Sequence, residues 1–391
     1  MRHLRWREAA AAGPSGPTSL IVIAACHGLY VLARGIIASP DSITYAYWAS
    51  RLADSGFDYA GLHAQVQGSF PPALYALFVT LLALLKLLFG PGWAAALVAL
   101  NLIAHVLLGM LLVGLARRTT GSGAAAWTAL LLYLGCFEVL QWVPYLLSDT
   151  TFILLAFAIF TLAARRILGV ARGWWTVFAA AAAGIFYRPT GMVLLPDLAW
   201  AFYLARSKAS RIPRAPLLGA LFAAAAAGAI VFAWLMQDPS RWPFAPLSGA
   251  FREAARGHAI GEIVHGRPDG FHAPPATLAG YLLITGDRFL HFFAPWSGGF
   301  SRAHIALQLL FFLPCYFLAA RLVLALLRGT TGLPPAARDV FFAATGAVLS
   351  YAVFHALVQV DYDWRYRLPI VPHLILLASG GAAQLTRRRG R

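Results

Sequence analysis

The chain has 391 residues, of which 60% are hydrophobic and only 12% are charged, and its mean hydropathy is +0.69. Because ordinary soluble proteins are about 25% charged, a soluble globular domain is excluded. The net charge of +16 would suggest nucleic acid in a soluble protein, but here the basic residues lie in short clusters between apolar runs. Such clusters are typical of cytoplasmic loops that meet anionic lipid headgroups. We therefore predict an all-α polytopic membrane protein whose partner is the lipid bilayer, with no nucleic-acid partner.

The arginine clusters between the apolar runs indicate the topology. If all of them are cytoplasmic, an even number of crossings separates each pair. Three apolar runs, near 19–38, 71–90 and 93–116, lie between the first two clusters, so one run does not cross. We assign this role to 71–90, which opens with two prolines, and predict a helix along the outer surface. The alternative is that 71–90 spans and one arginine cluster faces outward.

This assignment predicts about ten spans, each of them apolar enough to cross a bilayer. Both termini are then cytoplasmic, and residues 1–391 form a single transmembrane domain. Its two longest outer segments are 39–92, with juxtamembrane helices, and 237–303. The predicted spans lie near 19–38, 93–116, 124–140, 145–165, 174–187, 190–205, 216–236, 304–327, 340–360 and 368–385.

Asp41 is the acid that follows the first span most closely. One interpretation is a helix cap, since Ser39, Asp41 or Ser42 could begin a surface helix. The other is a catalytic base at the membrane surface. Farther along, Tyr45, Trp48 and Leu52 share one face at helical spacing, which predicts an amphipathic helix that begins near Asp41.

Three further charged residues lie at predicted outer ends of spans. Glu138 and Asp149 bound the outer turn between the third and fourth spans, where Asp149 could instead be a helix N-cap. Arg188 lies between two short apolar stretches. A cation at membrane depth is costly and normally pairs with an acid or an anionic ligand, although snorkelling to the interface is an alternative.

The segment 361–367 combines acids, arginines and aromatic residues just before the last span. Arginine forks suit phosphate oxygens, and aromatic rings suit a sugar face or a lipid interface. An interfacial anchor alone would not need alternating charges. We therefore favour a ligand-binding role for this segment, which contains Asp363, Arg365 and Tyr366.

Other kinds of site have no support in the sequence. The histidines of the long outer segment match no familiar zinc spacing, so no metal site is predicted. No P-loop, GxGxxG, nucleophile elbow or HExxH motif is present. A soluble nucleotide donor therefore has no evident binding site.

Taken together, the motifs resemble the GT-C class of polytopic glycosyltransferases, which use polyprenyl-phosphate sugars. The resemblance covers almost the whole chain and rests on five segments in order: 40–42, 70–75, 145–150, 187–191 and 365–369. It implies a GT-C-like helical bundle and an inverting transfer of a sugar from a polyprenyl-phosphate donor to a glycan or lipid acceptor. The expected location is the bacterial inner membrane, with the active site on the periplasmic side.

The resemblance also implies roles for individual residues. Asp41 matches the catalytic carboxylate of the first outer loop, which takes the proton of the acceptor hydroxyl. The donor phosphate would be bound by Arg365, Arg188 and Tyr366. The sugar or acceptor would be bound by Asp149, Glu138, Asp363 and Tyr45. Asp149 and Glu138 could also bind a divalent cation, and no other cofactor is expected.

Two features depart from the class. Many members have two adjacent acids in the first loop, whereas here Ser42 follows Asp41, so that Asp54 or Asp58 would have to supply a second carboxylate. The large C-terminal soluble domain of some members is not seen, which favours a small or lipid-borne acceptor.

The main alternative is a transporter or flippase of a lipid-linked saccharide, but transporters usually contain inverted repeats and none is evident. A non-catalytic scaffold would leave Arg188 and the segment 361–367 without a purpose.

Overall fold

The computed structural model describes residues 13–65, 72–206, 261, 272–273, 275–297, 299–358 and 364–389. Within these ranges the chain is helical and contains no β-strand. We number the described α-helices in chain order: α1 Gly16–Arg34, α2 Pro40–Asp54, α3 Tyr59–Gln65, α4 Ala76–Phe89, α5 Trp93–Thr120, α6 Gly123–Leu134, α7 Phe137–Leu140, α8 Asp149–Ile167, α9 Trp175–Tyr187, α10 Leu194–Arg206, α11 Leu278–Phe293, α12 Arg302–Leu327, α13 Pro335–Val358 and α14 Val371–Arg389.

Six helical segments of the described residues are long and apolar enough to cross a membrane. They are Gly16–Arg34, Ala76–Thr120, Asp149–Ile167, Arg302–Leu327, Pro335–Leu357 and Trp364–Thr386. The all-helical membrane class predicted from the sequence is confirmed at this level, whereas the count of about ten spans stays a prediction.

The remaining predicted spans fall on shorter helices or outside the described residues. Helices α6 and α9 have 12 and 13 residues, so each extends only about 18–20 Å at 1.5 Å per residue. A bilayer core is about 30 Å thick. The predicted span 190–205 is divided between a 3₁₀ segment, Pro189–Val193, and α10. The span 216–236 lies outside the described residues.

The segment predicted to lie along the outer surface forms a 3₁₀ turn, Pro72–Tyr75, followed by α4. Helix α4 has 14 residues, about 21 Å, and it ends at Gly90, whose φ of 52° interrupts the helix before α5. It packs on α2, where Lys86 Nζ donates to Ala46 O at 2.7 Å and to Ser50 Oγ at 2.6 Å. Its short length and its contact with α2 indicate that α4 does not span the membrane by itself.

The described helices divide between two compact units. The first comprises Met1–Arg206, Phe311–Ala347 and Leu368–Arg391, and the second comprises Ser207–Leu310 and Val348–Arg367. In the first unit α5 is central, because α1, α4, α6, α8 and α14 all pack against it.

A buried polar cluster joins α1, α5 and α6 in the first unit. His27 Nδ1 lies 2.7 Å from His105 Nε2, and the Tyr133 hydroxyl donates to the carbonyl of His105 at 2.7 Å. A Cβ at Gly109 would lie 2.6 Å from the side chains of Ile23 and Tyr133, so glycine is required for this close approach. The cluster satisfies its polar groups within the helix bundle and fixes the position of α1.

In the second unit, aromatic stacking joins α11 and α13 to the 3₁₀ segment Trp364–Ile370. The ring of His355 stacks on Tyr366 and on Phe292, with centroid distances of 5.2 and 5.6 Å. The buried Arg367 donates from Nη1 to the carbonyl of Ala294. Helix α11 lies within the predicted outer segment 237–303.

Candidate functional site

Ser39 and Ser42, and not Asp41, cap the helix that follows the first span. Ser42 N donates to Ser39 Oγ at 3.3 Å, and Ser39 N donates to Ser42 Oγ at 3.0 Å, which is a reciprocal capping box. Helix α2 begins at Pro40, as the sequence predicts, and buries the face that contains Tyr45, Trp48 and Leu52. The half-buried Asp41 is therefore not needed as a cap. Ser42 stands where many members of the GT-C class have a second acid, and its hydroxyl is needed for the capping box.

Backbone hydrogen bonds hold the start of α2 beside the start of α8. Ile37 N donates to Pro144 O at 3.0 Å, and Leu146 N donates to Ile37 O at 3.1 Å. From α5, Asn101 Nδ2 donates to the carbonyls of Val143 and Tyr145, at 3.3 and 2.9 Å. The segments that lead to Asp41 and to Asp149 are thus fixed to each other at one end of the first unit.

Asp149 forms a buried ion pair with Arg188. Arg188 Nη1 lies 2.5 Å from Asp149 Oδ1 and also donates to Ser148 Oγ at 3.4 Å. The two residues are only 6% and 4% exposed, so solvent screens their attraction little. Ser148 holds the N-cap position of α8, which makes the interpretation of Asp149 as an N-cap wrong. The expectation that Arg188 pairs with an acid is confirmed.

A tight turn places Arg188 between α9 and the next 3₁₀ segment. A Cβ at Gly191 would lie 2.1 Å from the carbonyl oxygen of Gly184, a distance that no side chain tolerates. The N–H of Gly191 donates to Arg188 O at 2.8 Å and closes the turn. Glycine at these two positions lets the chain double back and directs the guanidinium towards α8.

Tyr45 is buried among aromatic rings on the inner face of α2. Its ring lies 5.0 Å from that of Tyr75 and 5.3 Å from that of Phe78. Burial raises the pKa of the Tyr45 hydroxyl well above its ordinary value; Tyr75 raises this pKa further, Arg188 lowers it, and Asp41 raises it. The hydroxyl is therefore neutral near physiological pH.

A row of packed aromatic rings extends from Tyr45 towards the start of α8, which contains Asp149. Phe78 lies 5.8 Å from Tyr187 by ring centroids, and Tyr187 lies 6.4 Å from Phe152. The Tyr187 hydroxyl donates to Thr151 Oγ1 at 2.5 Å. These contacts join α4, α9 and α8. They fix the position of Arg188, which follows Tyr187, relative to Asp149, which lies two residues before Thr151.

Glu138 lies on the short helix α7, next to a cavity that the sequence did not indicate. Its side chain is buried, and Gln141 Nε2 lies 3.4 Å from Oε2. The cavity has a volume of about 220 Å³ and is lined by Tyr30, Arg34, Phe137, Gln141 and Tyr145. Arg34 ends α1 on the predicted outer side, where the positive-inside rule disfavours arginine. The presence of Arg34 on the outer side was therefore the signal in the sequence that could have identified this cavity.

Arg365 and Tyr366 belong to the second unit. The half-buried Arg365 lies over the ring of Tyr366, 5.3 Å from its centroid, and Nη2 donates to the Tyr366 hydroxyl at 3.5 Å. Arg367, two residues farther on, donates from Nη1 to the carbonyl of Ala294. Asp363 lies outside the described residues.

Asp41, Tyr45, Glu138, Asp149 and Arg188 all belong to the first unit, and among them Arg188 and Asp149 are in direct contact. Within the described residues, no group of three or more His, Cys, Asp or Glu residues could hold a metal ion. The cation-binding role of Asp149 and Glu138 stays a prediction, and Asp149 already contacts Arg188. Comparison of the chain with protein-family models, with curated proteins and with solved structures gave no match.

Proposed function

We propose that this membrane protein is an inverting glycosyltransferase of the GT-C kind. It transfers a sugar from a polyprenyl-phosphate donor to an acceptor hydroxyl at the periplasmic face of the bacterial inner membrane. The observation that carries the proposal is geometric: backbone hydrogen bonds between Ile37 and the segment 144–146 hold the start of α2, with Asp41, beside the start of α8, with the Asp149–Arg188 ion pair. Ser39 and Ser42 cap α2, so Asp41 has no capping role.

In this mechanism Asp41 is the general base. Its carboxylate takes the proton of the acceptor hydroxyl while the acceptor oxygen attacks the anomeric carbon of the donor sugar. The bond between that carbon and the phosphate oxygen breaks, and polyprenyl phosphate leaves with the electron pair. One displacement inverts the anomeric configuration. Asp41 is half-buried at the first turn of α2, so part of the residue remains accessible.

The leaving phosphate gains negative charge, which an arginine can stabilise. A guanidinium carries five N–H donors, so the contact of Arg188 with Asp149 is compatible with a second, anionic partner. Asp149 also fixes the guanidinium in advance, so that little reorganisation is needed during the reaction. Arg365, stacked on Tyr366, is the second candidate for this phosphate.

The cavity beside Glu138 suits a sugar. Its lining combines the aromatic rings of Tyr30, Phe137 and Tyr145 with the polar groups of Arg34 and Gln141. Aromatic faces contact the apolar side of a sugar ring, while the polar groups bind its hydroxyls. Its volume of about 220 Å³ is below the ~300 Å³ at which binding pockets for drug-sized ligands begin, which favours a single sugar ring.

The direct test is a donor panel. The purified full-length chain in lipid nanodiscs is incubated with polyprenyl-phosphate hexoses and pentoses labelled in the sugar, together with lipid and oligosaccharide acceptors. We expect one donor to lose its label to an acceptor with inverted configuration, and transfer by Asp41→Asn to be at least about a hundredfold slower. Proteoliposomes that move an intact donor across the bilayer, without transfer from any donor, would support the transporter alternative and contradict the proposal.

A further inference from the structure

A second cavity lies in the first unit, at the ends of α12 and α14 that the arginine clusters predict to be cytoplasmic. Its volume is about 340 Å³, and its lining includes Phe317, Arg321, Leu324, Arg328, Thr330 and Gln384. None of these residues takes part in the site around Asp41. The size is in the range of cavities that bind small ligands.

Close helix packing builds this cavity. A Cβ at Gly381 would lie 2.1 Å from the carbonyl oxygen of Leu318, and one at Gly380 would lie 2.6 Å from the Leu322 side chain. The two glycines therefore let α14 lie directly on α12. Gln384 follows Gly380 by about one turn, and this contact brings it to the cavity beside Arg321.

Two hydrogen-bond donors of the cavity lack an acceptor. Nε of Arg321 and Nε2 of Gln384 are buried without a hydrogen-bond partner, and Gln384 is only 7% exposed. Buried donors are normally satisfied, and an orphaned one marks the place of a missing acceptor. The two donors come from different helices and line the same cavity, so a single anion could accept from both.

The positive charge of the cavity also favours a bound anion. Arg321 lies on α12 and Arg328 follows its last residue, Leu327; both line the cavity, and the described lining residues include no acid. The carbonyl groups at the end of α12 are partly satisfied by its own turn, since the N–H groups of Gly329 and Thr330 donate to Leu326 O and Ala325 O. Two guanidinium groups without an acid beside them attract a negatively charged ligand.

The apolar rim of the cavity faces outward. Phe317 and Leu324 are 65% and 50% exposed, and both lie on an apolar helix long enough to cross a membrane. In a bilayer these side chains would contact acyl chains, directly beside the two arginines. A molecule that carries a phosphate group on an acyl chain matches this combination of apolar and basic surfaces.

We propose that this cavity binds a phosphate group. Arg321 and Gln384 donate to its oxygens and Arg328 neutralises it, at the cytoplasmic side of the membrane. The phosphate belongs either to an anionic lipid headgroup or to a soluble phosphate compound, and the rim of Phe317 and Leu324 favours the lipid. The proposal does not depend on the transferase function.

Native mass spectrometry of the full-length chain tests it, after exchange into nanodiscs of phosphatidylcholine with and without phosphatidylglycerol. We expect wild type to retain phosphatidylglycerol, and Arg321→Gln and Gln384→Leu each to retain it about tenfold less. Arg118→Gln is the matched control, because Arg118 is an exposed arginine of a predicted cytoplasmic cluster outside the cavity. It is expected to retain the lipid as wild type does.

Inorganic phosphate distinguishes the two sources. If the ligand is a soluble phosphate compound, millimolar phosphate raises the unfolding temperature of wild type but not of Arg321→Gln, and phosphatidylglycerol is not retained. If the ligand is a lipid, retention survives added phosphate. Equal retention by wild type, Gln384→Leu and Arg118→Gln, with no stabilisation by phosphate, would overturn the proposal even if Arg321→Gln failed to fold.

Discussion

Arg188 and Arg321 are both held within the first unit, and they differ in what neutralises them. Arg188 is buried and lies 2.5 Å from the carboxylate of Asp149. Arg321 lines a cavity with a second arginine, and the described residues of that lining include no acid. Loss of Arg188 would leave the buried Asp149 without its cation, whether or not a ligand is bound. Arg321 has no acid among its described neighbours in the cavity, so an anionic ligand would be its partner. The predictions below test this difference.

The largest effect is expected from Arg188→Gln. This substitution leaves the buried Asp149 carboxylate without its cation, a change that typically costs about 3–5 kcal/mol of unfolding free energy. Thermal unfolding in detergent measures it. The double variant with Asp149→Asn should recover much of the loss, because neither charge then remains buried. A single variant as stable as wild type would show that the ion pair does not stabilise the fold.

Gly381→Ala tests the packing that builds the second cavity. The added Cβ would clash with the backbone carbonyl of Leu318, and such overpacking typically costs about 1–3 kcal/mol. The unfolding temperature should fall, and phosphatidylglycerol retention should fall with it. Gly114→Ala is the matched control, since a Cβ there meets nothing within 4 Å. Equal behaviour of the two variants would contradict the close contact of α12 and α14.

Ser42→Ala tests the capping box at the start of α2. The loss of the Ser42 hydroxyl removes the hydrogen bond from Ser39 N, at an expected cost of about 1 kcal/mol. Ser42→Thr keeps the hydroxyl and should behave close to wild type in the same denaturation experiment. If the two variants unfold at the same temperature, the cap does not depend on this hydroxyl.

The smallest effect on stability is expected from Arg321→Gln. In phosphatidylcholine alone, the free energy of unfolding should change by no more than about 0.5 kcal/mol, because no internal ion pair is lost. With phosphatidylglycerol present, wild type should become the more stable of the two through ligand binding. A large loss of stability in phosphatidylcholine would indicate that Arg321 is neutralised within the chain after all.

Local patterns in the sequence were sufficient for much of the first unit. The spacing of Tyr45, Trp48 and Leu52 gives the buried face of α2, and the motif from Ser39 to Ser42 gives its start. Long apolar runs predict the helices that are long enough to span. In each case the information lies within a few turns of one helix, where helical periodicity determines which residues are neighbours.

Features that depend on distant contacts could not be predicted in the same way. The partner of Arg188 is far away along the chain, so the sequence indicated the need for an acid but not which acid. The close contact at Gly381 depends on how α12 and α14 pack, and the α12–α14 cavity follows from that packing. The predicted span 124–140 is divided between α6 and α7 by a turn at Gly135 within continuous apolar sequence, which hydropathy alone does not resolve.

The most direct test of the proposed function is the single-turnover rate of sugar transfer by Asp41→Asn, measured with the donor that the panel identifies. If Asp41 is the general base, the rate should fall by about 10²–10⁴-fold, while the unfolding temperature stays within a few degrees of the wild-type value. Ser42→Thr, which keeps the capping hydroxyl, should retain the wild-type rate. Transfer by Asp41→Asn at the full wild-type rate would contradict the assignment of Asp41 as the base.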